Sequence, residues 1–415
     1  MSDGLSWKSV IIGVLIAGAV AGVNLLVVQV YLKREAAEAR AAVTRAAADK
    51  PAPPTGGPTS PSASHRSVRP RSPASSLRAI QADPALEHTP APPPDEDDEA
   101  DECALELTPE RIEAILNGAN RRADYLLAAA ILSGEADARV KYLTEAASAN
   151  SADPMIQASI VGYWLMLGST DDRVLGWIEA FKQHDSDNML GYCYAAYYQM
   201  KTGNTEAAVH ELDAAAARGV FADYVVERWD LLSRFAQDAG WPETAAMAQG
   251  LGVVELPYGG IVRELARNLT AEAKRYADAG DVAAGLELCA QLRQVGRTLV
   301  NSGSGVLINE LVGMSVETTA LDTERTLAQA VNDVARVAEV DRRKAELLER
   351  RTYIAALAGA MAPALDRMQP ADLLQFYARI RQDGEAAAIQ SLPEAQALLR
   401  SPQPPGRGAG PPEPQ

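Results

Sequence analysis

Two patterns of apolar residues divide the chain into parts that must fold in different ways. Residues 10–32 form an unbroken apolar run without a charged side chain. Between residues 105 and 400, apolar residues recur at the three-to-four-residue spacing of helices, separated by short turns that contain glycine. Runs of β-branched and aromatic residues bounded by turns, which would indicate strands, are almost absent. The pattern therefore predicts an all-α protein.

The first pattern predicts a single membrane-spanning helix. At about 1.5 Å per residue, the run would reach about 34 Å, enough to cross a hydrocarbon core of about 30 Å. Trp7 and Tyr31 flank the run, where aromatic rings suit the membrane interface. A cleaved signal peptide is the alternative, with residues 17–19 as its cleavage site. The apolar run continues well beyond them, which favours an uncleaved anchor at the cell membrane.

Small residues within the run predict a second role for this helix. They are spaced so that two helices could approach closely and form a homodimer. The alternative is that small residues are simply common in membrane helices. The residues of this predicted dimer face are Gly13, Ala17, Gly18 and Gly22.

The charges that flank the run bear on its orientation. Lys33, Arg34, Arg40 and Arg45 follow it, whereas only Lys8 precedes it. The positive-inside rule then places the body in the cytoplasm. Short-tailed bacterial anchors often export the following domain, so a periplasmic body is the alternative.

Polar segments separate the run from the body and follow it. We expect a tail at 1–9, a helical stalk at 33–50, a disordered linker at 51–104 and a disordered tail at 401–415. Of 25 prolines, 12 lie in the linker and 6 in the last tail, which leaves too little apolar surface to fold there. The linker ends in an acidic run at residues 95–102, which we interpret as a solvated spacer.

The second pattern repeats along the chain. Turn glycines follow one another at intervals of 34, 35, 37 and 40 residues, close to the period of a helix–turn–helix repeat. A glycine can adopt the left-handed conformation that ends a helix, and Asn204 and Asp281 are placed to cap the helices that follow. The turn glycines are Gly134, Gly168, Gly203, Gly240 and Gly280.

Residues 192–215 resemble a tetratricopeptide repeat. Tyr192, Ala195 and Ala196 stand where the family has its early aromatic, leucine and glycine, and Ala208, Leu212 and Ala215 match its second helix. A second unit resembles the family over residues 269–292. The resemblance implies a helical-hairpin solenoid at 105–300 whose concave groove binds a protein or peptide partner through first-helix residues. The groove residues that it implies are Met155, Leu165, Met166, Leu190, Tyr197, Met200, Lys201, Arg234 and Lys274.

Residues 301–400 are less regular. The stretch 321–361 lacks proline, so it forms either one long helix or a hairpin whose turn is unmarked in the sequence. We expect helices that cap the solenoid, with a short coiled-coil contact as the alternative.

Composition and motifs argue against several classes of function. A net charge of −16 argues against nucleic-acid binding. Cys103, Cys193 and Cys289 are odd in number, far apart and without a C-x-x-C pair, which argues against a disulfide framework; a catalytic thiol is the alternative, and we expect the last two to be buried. His184 and His210 lie beside carboxylates but at polar, exposed helix positions. No phosphate-binding loop, zinc-protease motif or nucleophile elbow occurs in the sequence.

These observations predict a membrane-anchored scaffold for protein–protein interactions, without a cofactor, a metal or an enzymatic activity. An all-α enzyme tethered to the membrane, with a site that the motifs do not show, is one alternative. A structural spacer in an envelope complex is the other. An open groove would favour the scaffold, whereas a deep pocket with convergent titratable groups would favour the enzyme.

Overall fold

A computed structural model describes residues 107–253, 256–302, 305–365 and 367–400. This part of the chain is all-α, as predicted; the described residues contain no strand, and Asn188 and Val220 form an isolated bridge. The predicted anchor at 10–32, its dimer face, the stalk, the linker and the C-terminal tail lie outside the described residues. Within these residues, no helix is both long and apolar enough to span a bilayer.

Sixteen helices follow one another in the described ranges, and they fall within one compact unit. The first eight are α1 (Pro109–Gly118), α2 (Ala123–Leu132), α3 (Ala136–Ala149), α4 (Pro154–Met166), α5 (Asp172–His184), α6 (Met189–Lys201), α7 (Thr205–Ala216) and α8 (Val225–Asp238). The others are α9 (Glu243–Val253), α10 (Pro257–Asp278), α11 (Val282–Val300), α12 (Leu307–Ala330), α13 (Val334–Leu365), α14 (Pro370–Asp383), α15 (Glu385–Gln390) and α16 (Pro393–Arg400).

Helices α2 to α13 pair as six hairpins. In most of these hairpins, one of the predicted glycine turns connects the first helix to the second. Four of the five glycines, Gly168, Gly203, Gly240 and Gly280, have φ between 72° and 92°. In this left-handed region a side chain strains the backbone, so glycine ends the first helix there. Gly134 is the exception, because its φ is not positive.

The predicted caps at these turns are confirmed. Asn204 accepts a hydrogen bond from the backbone N–H of Ala207 at 3.3 Å, and Asp281 accepts one from Ala284 at 3.0 Å. Each cap satisfies a donor that the first turn of a helix leaves without a partner. Glycine and cap together start a second helix immediately after the first.

The long proline-free stretch is a hairpin and not one helix. Helix α12 ends before Asn332, which has φ of 56°, and Asp333 accepts a hydrogen bond at 3.0 Å from the N–H of Arg336 to cap α13. Asn332 thus takes the place of the turn glycine, since asparagine tolerates the left-handed region better than most residues.

The hairpins do not stack in the order of the sequence. Helix α10 packs against α6, and α11 packs against α7, so hairpin α10–α11 follows α6–α7 directly in space. Hairpin α8–α9 leaves this stack: α8 packs on α2, and α9 packs on α14. The unit around Gly240 is therefore an insertion, although its spacing in the sequence matches its neighbours.

Helix α8 also joins two apolar cores. Leu231, Leu232 and Phe235 belong to a core that is built mainly by α1–α7 and α10–α12. Val225 and Trp229, one or two turns earlier, belong to a second core that contains α12–α16. Because α8 buries side chains on both sides, it links the first hairpins to the C-terminal helices.

Candidate functional site

The first helices α2, α4 and α6 of the early hairpins form the face on which the groove was expected; we call it the first-helix face. Two later helices of the same chain pack on it. Tyr125 of α2 donates a hydrogen bond to Asp238 of α8, and Arg111 donates one to the carbonyl oxygen of Ala239. The expectation of an open groove is therefore not met along this part of the face.

Helix α10 packs on α4 and α6, and its contact with α4 is very close. A Cβ atom on Gly162 of α4 would lie 2.9 Å from Cγ of Pro257 and 2.8 Å from Oη of Tyr194. These distances are shorter than real Cβ contacts, so glycine is needed where the two helices meet. Further along, Lys201 of α6 pairs with Glu264 of α10 at 2.6 Å.

The structure separates the predicted groove residues into three groups. Leu165, Leu190 and Tyr197 are buried in the first core, and the Tyr197 hydroxyl donates a hydrogen bond to Glu264 at 2.9 Å. Met155 and Met200 are partly buried. The remaining four are exposed: Met166, Lys201, Arg234 and Lys274. Buried members cannot meet a partner in this structure, and contact between a partner and the others stays a prediction.

One pocket remains open where α2, α3, α4, α8 and α10 meet, with a volume of about 40 Å³. Met166, which is 48% exposed, is the member of the predicted groove set that lines it. Its apolar walls are Ala130, Ile131, Leu143 and Pro257. We call it the first-helix pocket.

Two arginines that the sequence analysis missed give this pocket a positive character. The guanidinium of Arg139 lies 5.5 Å from the ring centroid of Tyr163, within the range of a cation–π contact. Arg228 is 7% exposed; its Nη2 donates to the carbonyl oxygen of Asp223 at 2.8 Å, and its Nε has no partner. The sequence held one indication of this site: Arg228 lies among the apolar residues of α8, and charged side chains are rarely buried unless they have a partner.

A second concavity lies between α11 and α13, with a volume of about 370 Å³. Arg293 and Arg297 line it from α11, Arg342 and Arg343 line it from α13, and Asn301, Glu339 and Glu346 complete its polar lining. We call it the arginine cleft. The sequence showed only that the middle of α13 is highly charged.

A buried polar cluster joins the loop before α8 to α12. Asn309 donates a hydrogen bond to the Asp223 carboxylate at 2.7 Å and accepts one from the Tyr258 hydroxyl. Burial raises the pKa of Tyr258 well above its usual value. All three side chains are buried and have partners, so the cluster fixes the loop against α12.

The remaining candidates for chemistry behave as the sequence predicted. Cys193 and Cys289 are buried free thiols, and burial raises the pKa of each to about 12, so neither forms a thiolate at neutral pH. His184 on α5 and His210 on α7 are exposed. Cys103 lies outside the described residues, and within those residues no three potential metal ligands cluster.

Comparison with known proteins leaves the fold to be argued from its own geometry. No family model matches the chain, and neither a curated protein nor a solved structure matches it significantly. The described body is all-α with packed neighbouring helices, and it is compatible with a helical-repeat solenoid.

Proposed function

We propose that the protein is a membrane-anchored scaffold whose tetratricopeptide-like body binds a protein partner on the first-helix face. The observation that carries the proposal is the first-helix pocket, which combines apolar walls, two arginines and a half-exposed methionine. Methionine suits adaptable contacts, and arginine is enriched where proteins bind one another. The neighbouring Leu167 is 57% exposed and extends the apolar surface beside the pocket.

The repeat resemblance supports the same reading. Left-handed turn residues recur from α4–α5 to α12–α13, and side-chain caps begin α7, α11 and α13, as expected for helical-hairpin repeats. Because α8 and α10 cover much of the first-helix face, we expect the partner to engage a short segment at the pocket rather than lie along an extended groove.

Site-specific photo-crosslinking tests the binding surface. A photoreactive residue at Met166 in the full-length protein, in its native membranes, should give a discrete crosslinked protein. The same residue at Leu348, which is exposed on α13, should not. The substitution R139A should abolish the product at Met166, provided that circular dichroism shows an intact fold. The same products at both positions, or none at Met166, would contradict the proposal.

The membrane anchor is the second part of the proposal, and it rests on the uncharged run at 10–32. Deleting these 23 residues should move the protein to the soluble fraction. A deletion of equal length in the linker, at 52–74, should leave it in the membrane fraction. If both proteins sediment with membranes, then another part of the chain holds the protein there.

The side of the membrane is proposed to be the cytoplasm, because more positive charges follow the run than precede it. Two C-terminal reporter fusions test this, one active only in the periplasm and one only in the cytoplasm. Activity of the periplasmic reporter would show that these charges do not govern insertion.

A further inference from the structure

The arginine cleft has a floor made by two carboxylates of α12. Glu317 accepts hydrogen bonds at 2.9 Å from Nε of Arg297 and from Nε and Nη2 of Arg343. Glu324 accepts from Nη1 of Arg293 at 2.9 Å. Glu317 is fully buried and Glu324 nearly so, which means that both are held rigidly by packing.

These buried carboxylates hold the arginines in fixed positions. One buried carboxylate serves both Arg297 and Arg343, so the floor supplies one negative charge to two guanidinium groups, and the second carboxylate on Arg343, that of Glu346, is exposed. A guanidinium offers five N–H donors in a fixed plane. Because the floor fixes the orientation of these planes in advance, a ligand that binds above them would lose little entropy from the arginines.

Many of the donors have no acceptor. Among the described residues, Arg297 donates only through its Nε, and Arg342 has no partner. Arg293 is 9% exposed, yet its Nε is buried without a hydrogen bond. Buried donors in proteins normally have partners, so the buried Nε of Arg293 indicates an acceptor that binds in the cleft.

Two further glutamates are the nearest competitors for these donors, and both are weakly held. Glu339 lies 3.5 Å from Nη2 of Arg293, and Glu346 lies 3.0 Å from Nη1 of Arg343. Their side chains are 54% and 51% exposed, and exposed ion pairs contribute little to stability. A ligand with several negative oxygens could displace them at small cost.

We propose that the arginine cleft is a binding site for a phosphate-bearing ligand. Phosphate presents several charged oxygens to planar guanidinium forks, whereas a single carboxylate presents two. The volume of about 370 Å³ accommodates a phosphate group together with a small attached moiety. The net charge of −16 repels polyanions from the protein as a whole, so binding depends on this local cluster.

Calorimetric titration of the full-length protein in detergent with pyrophosphate tests the site. R342Q should weaken binding about tenfold, the equivalent of one charge-assisted hydrogen bond. Arg342 is exposed and has no partner among the described residues, so its loss should not disturb the fold. R379Q, at an exposed arginine of α14, is the matched control and should bind like the wild type.

A second variant distinguishes a ligand site from a purely structural ion network. E339Q removes a competing carboxylate, so it should bind pyrophosphate more tightly than the wild type. No measurable binding, equal weakening by R342Q and R379Q, or weaker binding by E339Q would overturn the proposal.

The phosphate could belong to a soluble molecule or to a lipid headgroup, and one comparison separates these sources. The full-length protein is reconstituted in vesicles of phosphatidylcholine, with or without phosphatidic acid, and titrated with pyrophosphate. Weaker pyrophosphate binding in the presence of phosphatidic acid would indicate that a headgroup occupies the cleft. Unchanged binding that still depends on Arg342 would indicate a soluble ligand.

Discussion

At the scale of single residues, Glu113 shows how one side chain joins separate helices. It lies on α1 and accepts hydrogen bonds from Lys141 at 2.9 Å, Arg121 at 2.7 Å and Tyr142 at 3.0 Å. The hydrogen bonds from Lys141 and then Arg121 lower the pKa of Glu113 to about 2. The carboxylate therefore stabilises the contact of α1 with α3 only while it is charged.

The pH dependence of stability follows from the sign of this shift. The folded-state pKa is below the ordinary value of 4.5, so the contribution is present above pH 4.5 and is lost as the pH falls towards 2. Because the side chain is about one-third exposed, we expect E113Q to cost only about 1 kcal/mol at pH 7. Urea unfolding at pH 7 and pH 3, followed by circular dichroism, should show a smaller difference between variant and wild type at pH 3.

The control for this prediction is E287Q, at an exposed position in the interior of α11 without an ion pair among the described residues. It should leave stability unchanged at both pH values. An equal loss of stability on acidification in E113Q and in the wild type would show that Glu113 does not contribute.

At the scale of elements, α11 and α12 cross with their backbones in contact. A Cβ atom on Gly296 would lie 2.8 Å from the carbonyl oxygen of Gly313, and one on Gly313 would lie 2.5 Å from the carbonyl oxygen of Gly296. The obstructing atoms belong to backbone, so they cannot move aside as the end of a side chain can. Glycine on both helices allows this close crossing.

The substitution G296A should therefore destabilise the body by about 1–3 kcal/mol, the usual cost of overpacking. Chemical denaturation measures the change. The matched control is G176A on α5, where nothing lies within 4 Å of the added Cβ. There, alanine should stabilise the protein by about 1 kcal/mol, because glycine is the poorer helix former. Equal effects of the two substitutions would mean that the crossing is not tightly packed.

At the scale of the whole molecule, α8 gives a repeat-like body long-range connections. Repeat stacks usually unfold piecewise, because each unit contacts only its neighbours. Here α8 contacts α2 through Tyr125 and Asp238, and reaches α14 through an Arg381–Asp230 ion pair at 2.6 Å. The two ends of the body are thereby joined through one helix.

We expect residues 105–400 to fold without the rest of the chain and to melt in a single transition. Differential scanning calorimetry should give equal calorimetric and van't Hoff enthalpies. The substitution F235A, at a fully buried position of α8, should lower that single melting temperature through a loss of about 3–5 kcal/mol. Aggregation of residues 105–400, or two separate transitions in the unsubstituted body, would contradict this prediction.

Local features of the fold could be predicted because their causes act over a few residues. Gly203 with Asn204, and Gly280 with Asp281, specify a helix end and the next helix start through backbone conformation and capping. The turn at Asn332 was missed only because asparagine stands where glycine was sought. The buried cysteines and the exposed histidines likewise followed from their positions on amphipathic helices.

The site could be predicted only in part, because burial depends on which helices meet. Met166 was assigned to the binding face and lines the pocket, but Leu165 and Tyr197 are enclosed. Arg139 and Arg228 lie 89 residues apart in the sequence, and nothing in their local pattern indicates that they meet. The arginine cleft also needs α11 and α13 to lie side by side on the carboxylates of α12.

The sequence alone therefore determined the all-α class, the hairpin turns and their caps, since glycine conformation, capping and amphipathic spacing are local effects. Only the tertiary structure decided the order of the hairpins in space, the insertion of α8–α9 and the coverage of the first-helix face. These depend on contacts such as that of Tyr125 with Asp238, which are 113 residues apart. A regular period in the sequence predicts that each helical hairpin forms. Helix α8 leaves the stack because it carries large buried side chains on opposite sides, and these side chains pack into two different cores.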